Sequence, residues 1–311
     1  MSDTNREVEL TALSGMGSRD FDLAVDQFAR WGLRWIDVWG KIYGKSVAEL
    51  DTETAGWAAA TIERAGLRVY CLSTLVFNDH VERGEEVFRT EHLTTLDRIL
   101  EAAAVLKPRF VRLIAGKLDG AGAGPTVPRL KQEHPWVAEV YREATQRIVD
   151  AGFTPTLENE VHDCFLAQAR DFVDFVDWIG PPDQFRITWD IQNAWHMGAL
   201  PTLEAYRTLR PLIGYVHTKG GRAADDDPTR LEWNVGLDAA SWPVVEIIQA
   251  IVDDGVSPVI CLNPSHGKWR ADYEYGAPGA FHPDVPFEQW DMSKVTEKDL
   301  NFLRAHIKGI R

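Results

Sequence analysis

Eight short apolar runs alternate along the chain with eight longer amphipathic ones, and glycines repeatedly mark the joints from helix to strand. That pattern predicts an α/β protein folded as a (β/α)8 TIM barrel. The 311 residues suit one such domain, since a barrel takes about 250 residues and tolerates insertions. No linker divides the chain, so residues 1–311 read as a single domain. The composition is that of an ordinary globular protein, 45% hydrophobic and 26% charged, which excludes disordered, collagen-like and coiled-coil architectures.

In chain order, the first strand runs from Val8 to Leu13 and is followed by a helix from Phe21 to Trp31. Gly32 then ends the helix, because glycine adopts the left-handed stop conformation without strain. The second strand is Trp35 to Trp39, and the helix Val47 to Ala65 stops at Gly66 before the third strand, Arg68 to Ser73. A helix from Val87 to Leu106 leads through Pro108 into the fourth strand, Phe110 to Ile114. The helix Trp136 to Ala151 stops at Gly152 and the fifth strand, Thr154 to Glu158, carries Pro155 at its start, where a missing N–H is least harmful. Helix Leu166 to Ile179 precedes strand Arg186 to Asp190, helix Leu203 to Arg210 precedes strand Gly214 to His217, and helix Trp242 to Asp253 passes Pro258 into strand Val259 to Leu262. A last helix spans Lys294 to Lys308. Long segments follow strands 4, 7 and 8: Gly116 to Glu133, Gly220 to Ser241 and Asn263 to Ser293. All three lie on the face where barrel enzymes build their sites, so they read as site walls or lids.

Lys and Arg number 33 against 47 Asp and Glu, a net charge of −14, which argues against a protein built to grip nucleic acid. A small-molecule partner is expected instead. Cys71, Cys164 and Cys261 are widely spaced among apolar residues and read as buried thiols, consistent with a cytoplasmic protein. The polar N-terminus lacks an apolar signal region, and no stretch reaches the ~20 apolar residues of a membrane span. Of the 12 tryptophans, Trp39, Trp195 and Trp269 fall after strands or in site-facing loops as platforms for substrate, whereas Trp31, Trp57, Trp178 and Trp242 follow helical periodicity and read as packing residues.

A polar residue that closes an apolar barrel strand points into the mouth. Strand 5 closes on Glu158, strand 6 on Asp190, strand 7 on His217 with Lys219 beyond, and strand 8 on Asn263 with His266 beyond. Two carboxylates and an imidazole from successive strands suit Mn²⁺, Mg²⁺, Co²⁺ or Zn²⁺. Such an ion polarises a carbonyl or hydroxyl of a substrate.

Leu157-Glu158-Asn159, Trp189-Asp190-Ile191-Gln192-Asn193 with Gly198, Val216-His217-Thr218-Lys219, and Val111-Arg112-Leu113 with Gly116 together resemble the xylose isomerase-like barrel superfamily, of the sugar phosphate isomerase/epimerase type. The resemblance implies a divalent metal held by Glu158, Asp190 and His217 with a fourth ligand from strand 8. In ketose epimerases of this kind, glutamates on strands 5 and 8 also shuttle a proton on opposite faces of a substrate carbon. Here the strand 8 position is Asn263, and an amide ligates through oxygen but is no base near neutral pH. Asn193 stands where a His is usual, with His196 three residues on, and Gly220 stands where Asp often follows the Lys.

The expectation is a metal-dependent isomerase or epimerase that acts on a sugar or keto-sugar derivative by proton abstraction beside a polarised carbonyl. Glu158 is the expected base and ligand, Lys219 and His266 are further catalytic candidates, and Asn263 is the candidate fourth ligand. Arg112, Asn193, His196, Trp39 and Trp269 are the candidate substrate contacts. A lyase that eliminates water or an aglycone competes, because one base suffices for it. So does a catalytically inactive barrel that binds a sugar or a partner. A nuclease of the endonuclease IV kind is disfavoured by the charge and the few histidines at strand ends. A homo-oligomer or a partner subunit is expected through the Asn263 to Ser293 loop.

Overall fold

The computed structural model describes residues 7–122, 124–264 and 291–311. Eight parallel strands form one sheet: β1 (Glu9–Ala12), β2 (Trp35–Val38), β3 (Arg68–Ser73), β4 (Phe110–Ile114), β5 (Thr154–Glu158), β6 (Arg186–Asp190), β7 (Ile213–Thr218) and β8 (Val259–Leu262). Their order is β1-β8-β7-β6-β5-β4-β3-β2. A parallel bridge between Leu13 and Asp37 brings β1 back to β2, and the Thr11 hydroxyl donates to the Trp35 carbonyl (2.7 Å) across the same seam. The predicted TIM barrel is therefore what the chain builds. Strand positions are buried almost throughout, as expected when a parallel sheet is covered on both faces.

The helices begin and end where their local chemistry dictates: α1 (Phe21–Arg30) starts behind Asp20, whose side chain accepts from Leu23 N–H. The predicted run from Val47 is divided: Val47–Glu49 is a single 3-10 turn closed by a Ser46–Glu49 capping box, and α2 (Thr52–Arg64) begins afresh behind Asp51, whose side chain accepts from Thr54 N–H. The run from Val87 likewise begins with a π-helical stretch, Phe88–Leu93, before α3 (Thr94–Leu106). The segment after β4, expected as loop, contains α4 (Thr126–Glu133). Its Val127 and Leu130 are buried on one face, a pattern too short to detect without the surface it covers. The segment after β7 carries a small antiparallel pair, Arg222–Ala223 with Leu231–Trp233. The chain's described part closes with α9 (Ser293–His306), counting α5 (Trp136–Asp150), α6 (Ala169–Ile179), α7 (Leu203–Leu209) and α8 (Val244–Asp254) between.

Two tryptophans depart from expectation. Trp57 is 56% exposed on α2 rather than packed, and Trp195 is buried, with its indole N–H donated to the Pro228 carbonyl (3.1 Å), so it braces loops and offers no platform. The three cysteines are free and buried. Among the described residues no helix is long and apolar enough to cross a membrane.

Candidate active site at the barrel mouth

Register brings the strand ends level. Glu158 pairs with Ile114 on β4 and Thr188 on β6, Asp190 pairs with His217, and His217 pairs with Cys261. Glu158, Asp190 and His217 thereby converge, each offering an atom within 4.8 Å of the others, and all three are buried. The Nδ1 of His217 lies 3.0 Å from Oε1 of Glu158, at ion-pair distance. Two ligands of one ion, each bound at about 2.1 Å and at a right angle, lie about 3 Å apart. The 3.0 Å spacing is therefore one that a charged imidazole on a carboxylate and two ligands of one ion both adopt.

The remaining contacts hold this group in place. Arg112 donates through Nη1 to Oε2 of Glu158 and through Nη2 to the Thr74 carbonyl (3.1 Å). Burial pushes the Glu158 carboxyl up, but Arg112 and then His217 outweigh burial and hold it well below the usual carboxylate range. Burial alone would depress His217, yet the Glu158 charge raises it well above an ordinary histidine. The field that attracts a proton to this nitrogen equally attracts a metal ion, whose binding displaces the proton. Asp190 accepts from the backbone N–H of Gln192 and Asn193 at Oδ1 (3.1 Å each), and from Lys219 (2.9 Å) and the Asn263 amide (3.2 Å) at Oδ2. Lys219 must share that oxygen when a cation enters.

Four carboxylates, Asp37, Glu158, Glu160 and Asp190, gather around Arg112, Lys219 and His217. Buried charge of this kind requires compensation. Asp37 and Glu160 are site residues beyond the candidates expected from the sequence. Asp37 is a polar interruption of the apolar run Trp35-Ile36-Asp37-Val38, a signal visible in the sequence. Glu160 is affected by the charges of Glu158, Lys219 and Arg112, and burial followed by Glu158 raises its carboxyl.

The predicted substrate contacts divide by how much of each side chain is already engaged. Arg112 is 3% exposed and held by Glu158 and Thr74, so its role here is to support Glu158. Asn193 donates to the Asn159 carbonyl (2.8 Å) and accepts from Lys219 (2.6 Å), tying three loops together. His196 keeps a buried Nε2 without a partner and packs edge-on against His162, 5.1 Å between rings; burial, then Lys219 and His162, lower its value to about 3, so the ring is neutral. Trp39 lines a cavity of about 270 Å³ with Met16, Arg19, Phe21 and Met292 at the ends of β1 and β2. His266 and Trp269 lie outside the described residues. Gly220 is explained by space: a Cβ there would stand 2.2 Å from the Val235 carbonyl oxygen, so no side chain fits.

A parallel barrel with metal-type donors at its strand ends defines a class of protein, and the sequence match narrows it. Residues 25–280 match the family model described as xylose isomerase-like TIM barrel, and the chain belongs to that family. No curated protein matches it in sequence. Among solved structures, it is similar to the probable 3-DHS dehydratase AsbF of Bacillus anthracis, at 15% identity and a TM-score of 0.65 over 96% of this chain and 98% of the other. It is also similar to the 3-keto-D-glucoside 4-epimerase YcjR of E. coli, at 16% and 0.66 over 96% and 100%. The third, the IolI protein with a bound zinc atom, has 13% identity and a TM-score of 0.67 over 96% and 99%. At such identities these neighbours establish the shared fold.

Proposed function

We propose that this chain is a divalent-metal-dependent enzyme that removes a proton beside the carbonyl of a sugar or keto-sugar derivative, in the manner of an isomerase or epimerase. The observation that carries the reading is the buried convergence of Glu158, Asp190 and Nδ1 of His217 within 4.8 Å of one another. Those three residues would hold the ion, which when bound polarises a substrate carbonyl and stabilises charge on its oxygen. Arg112 keeps Glu158 ionised, so Glu158 serves as a ligand and is a weak base. Glu160 is the freer acceptor: one of its oxygens takes the Val161 N–H (2.9 Å), and Arg112 does not grip it. Lys219, poised between Asp190 and Asn193, donates to a substrate oxygen. The similarity to a keto-glucoside epimerase and to a probable dehydratase supports a carbonyl-bearing polyhydroxy substrate.

Elimination is the second reading, and one observation favours it. Asn263 faces Asp190 with an amide, so β8 supplies no carboxylate at its end to return a proton from the opposite side.

Elemental mass spectrometry on protein purified without chelator tests the metal. About one equivalent of Mn, Co, Zn or Fe in the native chain, absent from Glu158→Gln and His217→Ala, is expected; protein that takes up no divalent ion on titration, Mg²⁺ included, sinks the reading. Product mass from a 3-keto-glucoside then separates the two reactions, since an isomer keeps the substrate mass and an eliminated product does not.

A further inference from the structure

We infer that Asp37 is a positioning residue: by accepting the Nε2–H of His217 it turns the imidazole so that Nδ1 is the nitrogen offered to the ion, and so sets the affinity of the site. This rests on the metal-enzyme reading above and names a residue outside the ligand set. Asp37 sits on β2, far in sequence from β7, and is completely buried. Its Oδ2 takes the Nε2 of His217 (3.3 Å) and the hydroxyl of Tyr215 (2.9 Å). Tyr215 stands edge-on to the His217 ring, 84° between planes and 4.9 Å between centroids, so the imidazole is wedged as well as hydrogen-bonded.

The strand has been adjusted for this. The pairing of β2 with β3 shifts between Ile36 and Asp37, so that Asp37 meets Cys71 and Tyr70 is passed over. Such irregularities redirect side chains beside functional sites. Asp37 also keeps a buried Oδ1 with no hydrogen-bond partner, which is costly for a purely structural residue.

A competing arrangement is present, because Asp37, His217 and Cys261 also lie within 4.8 Å of one another. Geometry favours the Glu158 side. The Cys261 thiol already donates to the Leu262 carbonyl (3.6 Å) and Oδ2 of Asp37 is taken by the Tyr215 hydroxyl (2.9 Å), whereas Nδ1 of His217 faces Oε1 of Glu158 at 3.0 Å with Asp190 beside it. A carboxylate that receives one N–H of a ligand histidine fixes which nitrogen binds and raises its basicity.

The test compares native protein, Asp37→Asn and Tyr215→Phe, titrated with Mn²⁺ for affinity and with Co²⁺ for its visible absorption spectrum, and followed by thermal denaturation to verify folding. Asp37→Asn should bind Mn²⁺ about 10- to 100-fold more weakly with an altered Co²⁺ spectrum. Tyr215→Phe, which loosens Asp37 without removing it, should lose about three- to tenfold. If Asp37→Asn fails to fold, Tyr215→Phe decides alone. Native affinity and an unchanged Co²⁺ spectrum in the folded variants overturn the inference while the metal reading stands; native protein that binds neither ion overturns both.

Discussion

At the barrel mouth, Glu158 is cut off from water but held by Arg112 on one oxygen and approached by His217 on the other. At the seam between α9 and the segment after β7, Asp299 is equally cut off; it accepts the Leu237 N–H (2.8 Å) at one oxygen and has no partner at the other. Burial pushes both carboxyls up. At the mouth the cations win and Glu158 stays ionised, whereas at the seam burial wins and Asp299 is raised to about 8, with Asp238 adding to the rise and Lys298 opposing it. The same burial thus gives a permanent anion where a guanidinium was built beside it and a neutral acid where none was. The mouth is organised to hold charge, and the seam is organised to avoid it.

Removing the cation at the mouth should have the largest effect. Arg112→Leu leaves Glu158 buried without compensation, with an expected loss of about 3–5 kcal/mol in denaturant unfolding. Adding Glu158→Gln to it should restore a substantial part of that loss, since the amide needs no counter-charge. If the double variant is no more stable than the single one, Arg112 acts through packing and the contrast between the two regions fails.

The seam predicts a gain with a defined pH dependence. Unfolded, Asp299 ionises near its usual 3.8; folded, it does so near 8. Between those values the folded chain binds the extra proton, so stability falls as pH rises from about 4 to 8. Asp299→Asn keeps an acceptor for Leu237 and removes the carboxyl. The variant should match the native chain near pH 4 and melt several degrees higher at pH 8, and an equal difference at both values would break the argument. Glu158 has the opposite sign: its lowered value gives stability that is present above pH 4.5 and lost as pH falls through the folded value.

The smallest effect sharpens the comparison at its edge. Lys298 pairs with Asp238 (2.9 Å) while 42% exposed. Exposed pairs contribute about 0–1 kcal/mol, so Lys298→Met should change the midpoint of unfolding little, while moving the Asp299 titration upward in a pH series.

The barrel was legible because its signals are local. Each strand is a short apolar run, and glycine stops such as Gly32, Gly66 and Gly152, each with positive φ, close the helix-to-strand joints. Short α4 is not legible because its two buried apolar positions, Val127 and Leu130, make no readable period in eight residues. Glu158, Asp190 and His217 were legible because each closes an apolar strand with a polar residue. Asp37 interrupts its strand in the same way, but its partner is 180 residues away, and nothing near it in sequence says that the partner is a ligand histidine.

The sequence by itself determined the succession of strands and helices, hence the barrel, since hydrophobic period and turn chemistry act over a few residues. It also determined which residue types reach the mouth. Tertiary structure alone decided which of these are engaged: that Arg112 grips Glu158, that Lys219 shares Asp190 with Asn263, that Gly220 has no room for a side chain, and that Asp37 reaches His217. Those outcomes depend on register between strands distant in the chain and on the balance of burial against nearby charge, and both quantities exist only once the barrel has closed.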